Sequence, residues 1–338
     1  MDDKEEIKKA ILRRFYDGAF KDCVDYQFGL RAYAEEKGIG WELINEIYDE
    51  LNDEGFFGTC CTSMVVEPSV KALVYCEDHQ LVDLALVEQQ KGIRIKILEA
   101  CADILEEKLN PYAYGGIDCD TICKRAGISL QDYTNNAGIL EYRDYIERQH
   151  PVFIWRITDR GRDAVKDLRK KRARLAEFEK LSKGKDVTPQ ARGHRIEDLL
   201  GEVANDEGWK VSKRVRTEGA EEDLIINKGR DYFLVSCKWE KAKIQWKEVS
   251  PLLSEAEWAG CYAGIMVSMS GFTDSCISRT KARKTPQKIL LFGPRDVESL
   301  FLDAEQVFSE KLWFSDLLDE KIQKLVHRNA ILVDGDEY

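Results

Sequence analysis

A carboxylate and an ammonium flank a short hairpin-like stretch of this sequence. In EEDLIINKGRDYFLVSCKW, residues 221–239, Asp223 closes a polar run as an apolar strand begins, a Lys-Gly-Arg turn follows, and the next strand carries Ser236, Cys237 and Lys238. Side chains alternate faces along a strand, so Ser236 and Lys238 share one face while Cys237 turns into the core. Pairing of the two strands would bring Asp223 close to Lys238. Such a pair suits metal-dependent hydrolysis of a phosphodiester. The Asp holds a divalent cation, Mg²⁺ or Mn²⁺, which polarises the phosphate and activates a water, and the Lys orients that water or stabilises developing charge. Taken alone, the same two residues read as surface charges.

Holding such a pair requires a sheet backed by helices, and the sequence after residue 192 has that order. We expect a helix at 194–208, strands at 210–216, 222–227 and 231–238, a helix at 247–259, a strand at 262–269, a helix at 273–284 and a strand at 288–292. This is a mixed α/β pattern. The tail, 301–338, reads as mostly helical, with Trp313, Leu317, Leu318 and Ile322 on one broad face that caps the domain or a dimer partner.

Across about 193–300, the segments GHRIEDLLGEVANDEGWKV, EEDLII, FLVSCKW and AGIMVSMSGFTDSCISRTKARK resemble the Mrr-type branch of the PD-(D/E)xK restriction-endonuclease fold. The resemblance implies that Asp223 binds metal, that Lys238 assists catalysis, and that Glu197 is the family's helix glutamate. Glu197 would support the metal or orient the lysine. It places the main-chain carbonyl of Cys237 as a metal ligand and matches Gly271, Phe272 and Thr273 to the family's Gly-Phe-Thr. His194 reads as a helix-start residue. One position departs from the pattern: Ser236 stands where the family has Glu or Gln. Either a glutamate of the following helix (Glu248, Glu255 or Glu257) replaces it, or Glu222 or Glu197 compensates locally, or the domain binds without cleaving.

The first half reads as tandem winged helix-turn-helix domains, 1–87 and 88–185, the second ending in a basic linker helix; a restriction-endonuclease-like α/β domain follows over 192–300. In the first, a helix at Gly40–Glu54 precedes strands at Val65–Val66 and Lys71–Tyr75. In the second, helices at 93–109, 118–125 and 129–142 precede a strand at 152–157, and ITDRGRDAV resembles the strand-to-helix exit of winged-helix repressors. The helix at 40–54 carries six acidic residues and no Lys or Arg, so it should contact protein rather than phosphate. The helix at 129–142 offers Gln131, Asn135 and Asn136 to base edges, with Lys124 and Arg125 upstream for phosphate and Arg156, Arg160 and Arg162 as wing cations. Alternatively, Asn135-Asn136 marks a turn. A basic strand with Lys210, Lys213, Arg214 and Arg216 and a basic helix with Arg279, Lys281, Arg283 and Lys284 are expected to contact phosphate on either side of the nuclease site.

Composition sets the bounds. The 338 residues are 43% apolar and 33% charged, with a net charge of −11, as expected of a soluble, multidomain protein that does not coat nucleic acid indiscriminately. Yet Arg156–Arg195 holds 14 Lys and Arg against 6 Asp and Glu, a net of +8, leaving −19 on the other 298 residues. The acidic, polar start MDDKEEIKKA is unlike a secretory signal, no apolar run would span a membrane, and ten cysteines without paired spacing read as reduced thiols in the cytoplasm. Cys60, Cys61, Cys76 and His79 make a poor zinc set, and Cys119 and Cys123 read as core. No P-loop pattern is present, so ATP-driven translocation is not expected of this chain. The reading is a homodimeric, metal-dependent endonuclease acting on double-stranded DNA in restriction or phage defence. The alternative is a DNA-binding regulator or adaptor on an inactive nuclease fold; an RNA- or protein-binding module ranks last.

Overall fold

Apolar residues at helical spacing, Ile7, Ile11, Leu12 and Phe15, make Asp2–Asp17 an amphipathic helix, α1. The computed structural model describes residues 2–22, 28–58, 65–107, 116–149, 154–183, 188–214, 223–282, 288–302 and 313–334. They fall into two units, Met1–Leu168 and Arg169–Tyr338. In the first, a π-helical turn at Gly18–Asp22 follows α1, then β1 (Phe28–Gly29), α2 (Leu30–Lys37), α3 (Trp41–Asp53), β2 (Val65–Val66), which pairs antiparallel with β1, and α4 (Val70–Asp78). The expected strand at Lys71–Tyr75 is therefore helical. Ser69 caps it by accepting from Ala72 N, and Ala72, Leu73 and Cys76 fall on one buried face.

The unit continues with α5 (Leu84–Glu106), β3 (Ile117–Asp118), α6 (Cys119–Ala126), α7 (Leu130–Tyr142), β4 (Ile146–Gln149) and β5 (Ile154–Ile157), the strands ordered β3-β5-β4 and antiparallel. The sequence pattern does not predict β4, because the alternation in IERQ gives only one apolar residue to read. Caps at Asp118 and Ser129 start α6 and α7, the latter through a reciprocal box with Asp132. α8 (Asp159–Lys183) then runs from the first unit into the second.

The acidity of α3 has an internal partner: Lys4 pairs with Glu46 and Glu50, and Lys8 with Glu50 and Glu54. Deeper in this unit Arg94, 1% exposed, grips Glu77 at 2.8 and 2.5 Å, and the Tyr16 hydroxyl donates to the same carboxylate at 2.7 Å. These three residues join α5, α4 and α1 through a buried ion pair and the hydroxyl bonded to it.

The second unit is built on a five-stranded sheet. α9 (Pro189–Asp206), β6 (Lys210–Arg214), β7 (Asp223–Lys228), β8 (Asp231–Lys238), α10 (Trp246–Trp258), β9 (Ala263–Ser268), α11 (Asp274–Ala282), β10 (Lys288–Phe292), α12 (Pro294–Leu302) and α13 (Trp313–Asp334) follow in order. The strands lie β10-β9-β8-β7-β6, with β8, β9 and β10 parallel and β6 and β7 antiparallel to their neighbours. One face packs Leu224, Phe233, Val235, Ile265 and Phe292 against α9, α12 and α13. The other packs Leu234, Met266 and Ile289 against α10 and α11. Glu207 accepts from Phe314 N, Ser315 N and the Ser315 hydroxyl, fixing the start of α13 to the turn after α9.

Removing one partner of a buried, hydrogen-bonded ion pair strands the other charge in the core. Arg94→Ala should lower the unfolding free energy of the first unit by about 3–5 kcal/mol in denaturant titrations. The C-terminal unit's transition should not move.

Candidate active site

β7 and β8 form the expected hairpin, turning at Gly229 (φ +64°), with Leu224 opposite Val235. Continued by one residue, the register sets Asp223 level with Ser236, at the same end of the sheet as Lys238. On its other side Asp223 pairs in register with Arg214. The side chains of Asp223, Lys213 and Arg214 lie outside the described residues. In β8, Val235 and Cys237 belong to the α9 face and Leu234 to the α10 face. Alternation therefore puts Ser236 and Lys238 on the α10 face, as the sequence pattern anticipates.

Glu197 arrives from the opposite face. It lies on α9, is buried, and its Oε1 accepts from the main-chain N–H of Cys237 at 2.9 Å. The bond satisfies a strand amide just where the described length of β7 ends. One turn earlier on the same helix face, Gly193 lets α9 approach β8: a Cβ there would sit 3.1 Å from the Cys237 carbonyl oxygen. Burial, with the Glu197 charge nearby, holds the Cys237 thiol well above the usual thiol range, so it stays protonated and inert. The other carboxylate oxygen of Glu197 lies 3.6 Å from Nδ1 of the half-exposed His194.

These groups wall a cavity of about 300 Å³ lined by Gly193, His194, Glu197, Ser236, Cys237 and Lys238 among others. Thus the structure brings Glu197, Ser236, Cys237 and Lys238 together. His194, read from sequence as a helix-start residue, stands in the same cavity. Its spacing of three from Glu197 is the signal that could have placed it.

The glutamates weighed as substitutes for the acid missing at Ser236 are separated by topology. α10 must run back from the end of β8 to the start of parallel β9, so Glu248 lies in the turn nearest Lys238, and Glu255 and Glu257 in the turn farthest from it. Glu248 already accepts from Gln245 N at 2.8 Å in a capping box. Glu222 lies outside the described residues.

Among the described residues no three His, Cys, Asp or Glu side chains gather around a common point. The donors here are of another kind: the Ser236 hydroxyl and the Cys237 carbonyl, with Asp223 in register beside them. All are hard oxygen donors, and Mg²⁺ keeps several of its waters when bound. The residues fit a largely hydrated Mg²⁺ or Mn²⁺ better than a tightly caged ion.

In the first unit the base-reading candidates are mostly engaged internally. Asn136 is fully buried, donating to the Gln90 side chain and to Asp132 O, so it presents nothing to a base edge. Asn135 donates to Ala19 O at 2.8 Å and accepts from exposed Gln131. Lys124 and Arg125 are exposed in the last turn of α6, Arg125 pairing with Glu107. Arg156 pairs with Glu147, Arg160 lies over the Tyr145 ring, and Arg162 pairs with Asp159, all three remaining exposed. Of the zinc set, Cys76 is buried with its thiol donating to Leu12 O, and His79 stacks on Tyr75; Cys60 and Cys61 lie outside the described residues. Cys123 is buried and Cys119 half-buried.

Residues 189–298 match the model of the Mrr_cat family, described as restriction endonuclease. The C-terminal α/β domain is therefore restriction-endonuclease-like. Among solved structures, similarity is found to the restriction endonuclease FokI, at 10% identity and TM-score 0.29 over 79% of this chain and 58% of that one. The structure of FokI bound to DNA matches at 11% identity and TM-score 0.27, over 79% and 57%. The chain thus covers less than two thirds of either FokI chain. No curated protein matches. No helix among the described residues is long and apolar enough to cross a membrane.

Two outcomes follow from the contact between α9 and β8. Gly193→Ala should destabilise the C-terminal unit by about 1–3 kcal/mol in thermal or denaturant unfolding, because the main-chain carbonyl it meets cannot swing aside. Cys237 should resist iodoacetamide at neutral and mildly alkaline pH and become labelled, by mass spectrometry, only on unfolding.

Proposed function

We propose that this protein is a metal-dependent endonuclease of double-stranded DNA, with its chemistry in the cavity at the end of β8. The observation that carries the reading is the meeting of Ser236, Cys237, Lys238 and Glu197 around one cavity, beside the register position of Asp223, inside a domain that matches a restriction-endonuclease family. Asp223, the Cys237 carbonyl and the Ser236 hydroxyl would hold Mg²⁺ or Mn²⁺. When bound, the cation supplies Lewis acidity toward the scissile phosphate.

The chain's own residues do the positioning. Lys238 sets an ammonium on the Ser236 side of β8, where it attracts the phosphodiester and stabilises negative charge as the phosphorus gains a ligand. Glu197 acts one step back: its bond to Cys237 N fixes the peptide whose carbonyl faces the site. Ser236 contributes a neutral oxygen where a second carboxylate is usual, so metal affinity should be modest.

DNA is held by the first unit and its basic exit. We read α5 to β5 as a winged helix that meets phosphate through Lys124, Arg156, Arg160 and Arg162, and β1 to α4 as a second one whose acidic α3 faces protein. Exposed ion pairs such as Arg156–Glu147 are worth little and open readily to phosphate. Cleaving both strands calls for two sites, hence a homodimer, in a cytoplasmic restriction or phage-defence role.

The test is incubation with supercoiled plasmid, modified and unmodified, in Mg²⁺, Mn²⁺ or EDTA. Nicking or linearisation should require metal and fall by about a hundredfold or more in Asp223→Ala and Lys238→Ala. Salt-sensitive DNA binding with no cleavage in any metal would favour the second reading, a DNA-binding regulator, which Ser236 and the prior commitment of Glu248 support.

A further inference from the structure

We propose that a second cavity in the C-terminal domain, running along the outer edge of β10 between α11, α12 and α13, binds a nucleotide. It encloses about 750 Å³, a volume within the usual range of small-molecule sites, and its lining shares no residue with the cavity at Lys238. Its mouth is formed by the loops that follow β8, β9 and β10, at the carboxyl end of the parallel strands, where open α/β sheets commonly take ligands.

Three features select the ligand class. The first is charge: Lys243, Lys281, Arg295, Lys321 and Lys324 line the cavity, against the single carboxylate of Asp296. That carboxylate is occupied by Lys321 Nζ at 2.7 Å and Gly293 N at 2.8 Å, and Lys324 pairs with Glu320. Lys243, Lys281 and Arg295 are exposed and have no ion-pair partner among the described residues, so the cavity retains an uncompensated positive charge suited to a phosphate.

The second is the floor, which is apolar. Phe272, Ile277, Ile289, Leu291 and Pro294 offer a surface that gains nothing from an inorganic anion but accepts a flat ring. The third is the edge of the sheet. Among the described residues β10 pairs only with β9, so its outer side presents main-chain N–H and C=O groups in alternation. A nucleobase edge carries complementary donors and acceptors. A ligand with a flat, hydrogen-bonding body and a phosphate is a nucleotide, either free or unstacked from a bound strand.

The experiment uses the full chain and two probes: dAMP followed by calorimetry, and a DNA duplex with a single 2-aminopurine followed by its fluorescence. Inorganic phosphate is the control. The expected result is that dAMP binds at least about tenfold more tightly than phosphate, or that 2-aminopurine brightens on binding, and that Lys281→Glu with Arg295→Glu weakens or abolishes that signal by about tenfold or more. Both residues are exposed on helices, so the fold is retained. A dAMP signal identifies the free nucleotide as ligand, and a fluorescence rise alone identifies a nucleotide drawn from DNA. Lys238→Ala should leave either signal in place, which separates this cavity from the proposed nuclease site and makes its result independent of cleavage. The proposal is overturned if phosphate binds as well as dAMP with no rise in fluorescence, or if the double variant changes neither signal.

Discussion

The bond from the Cys237 amide to the buried Glu197 carboxylate is the contact on which the geometry of the cavity depends. A buried strand amide must find an acceptor, because an unpaired buried N–H costs about 1–3 kcal/mol. A helix carboxylate meets that need only if the helix comes close, and Gly193 permits the approach. The same contact fixes the peptide between Ser236 and Lys238. One local requirement of backbone chemistry thereby sets the geometry of the cavity where phosphodiester chemistry is proposed.

How far the sequence could be read follows from where its signals are strong. The order of strands and helices after residue 192 was legible because apolar runs alternate with helical periodicity, and the hairpin was legible from its Lys-Gly-Arg turn. The helix at Val70–Asp78 was not, since KALVY is apolar enough for either state and Ser69 settles it by capping. Asn135 and Asn136 look like base readers in one dimension. In three, Asn136 packs against Gln90 in the core and Asn135 reaches Ala19 O, contacts that no local pattern reveals. His194 and Gly193 belong to the cavity through spacings of three and four residues to Glu197 on α9, a signal present in the sequence but shared with ordinary helix faces.

Charge is distributed to match. The acids of α3 are partly neutralised by lysines of α1, which removes some of the repulsion that an acidic helix would show toward a polyanion and leaves Glu42, Asp49 and Asp53 for other partners. Basic residues concentrate instead from Arg156 to Arg195, where Arg174 is buried against Asp206 and, among the described residues, most of the other cations face solvent. The net charge of −11 thus describes an average that no single surface carries.

In the proposed site a carboxylate at Asp223 and a serine at 236 together hold a divalent cation. Calorimetric titration of Mn²⁺ into the wild-type protein, Asp223→Asn and Ser236→Glu tests it without recourse to cleavage. The expected result is saturable binding in the wild type, loss of binding in Asp223→Asn, and binding about tenfold or more tighter in Ser236→Glu, which restores the second carboxylate. Equal Mn²⁺ affinity in all three proteins would contradict it.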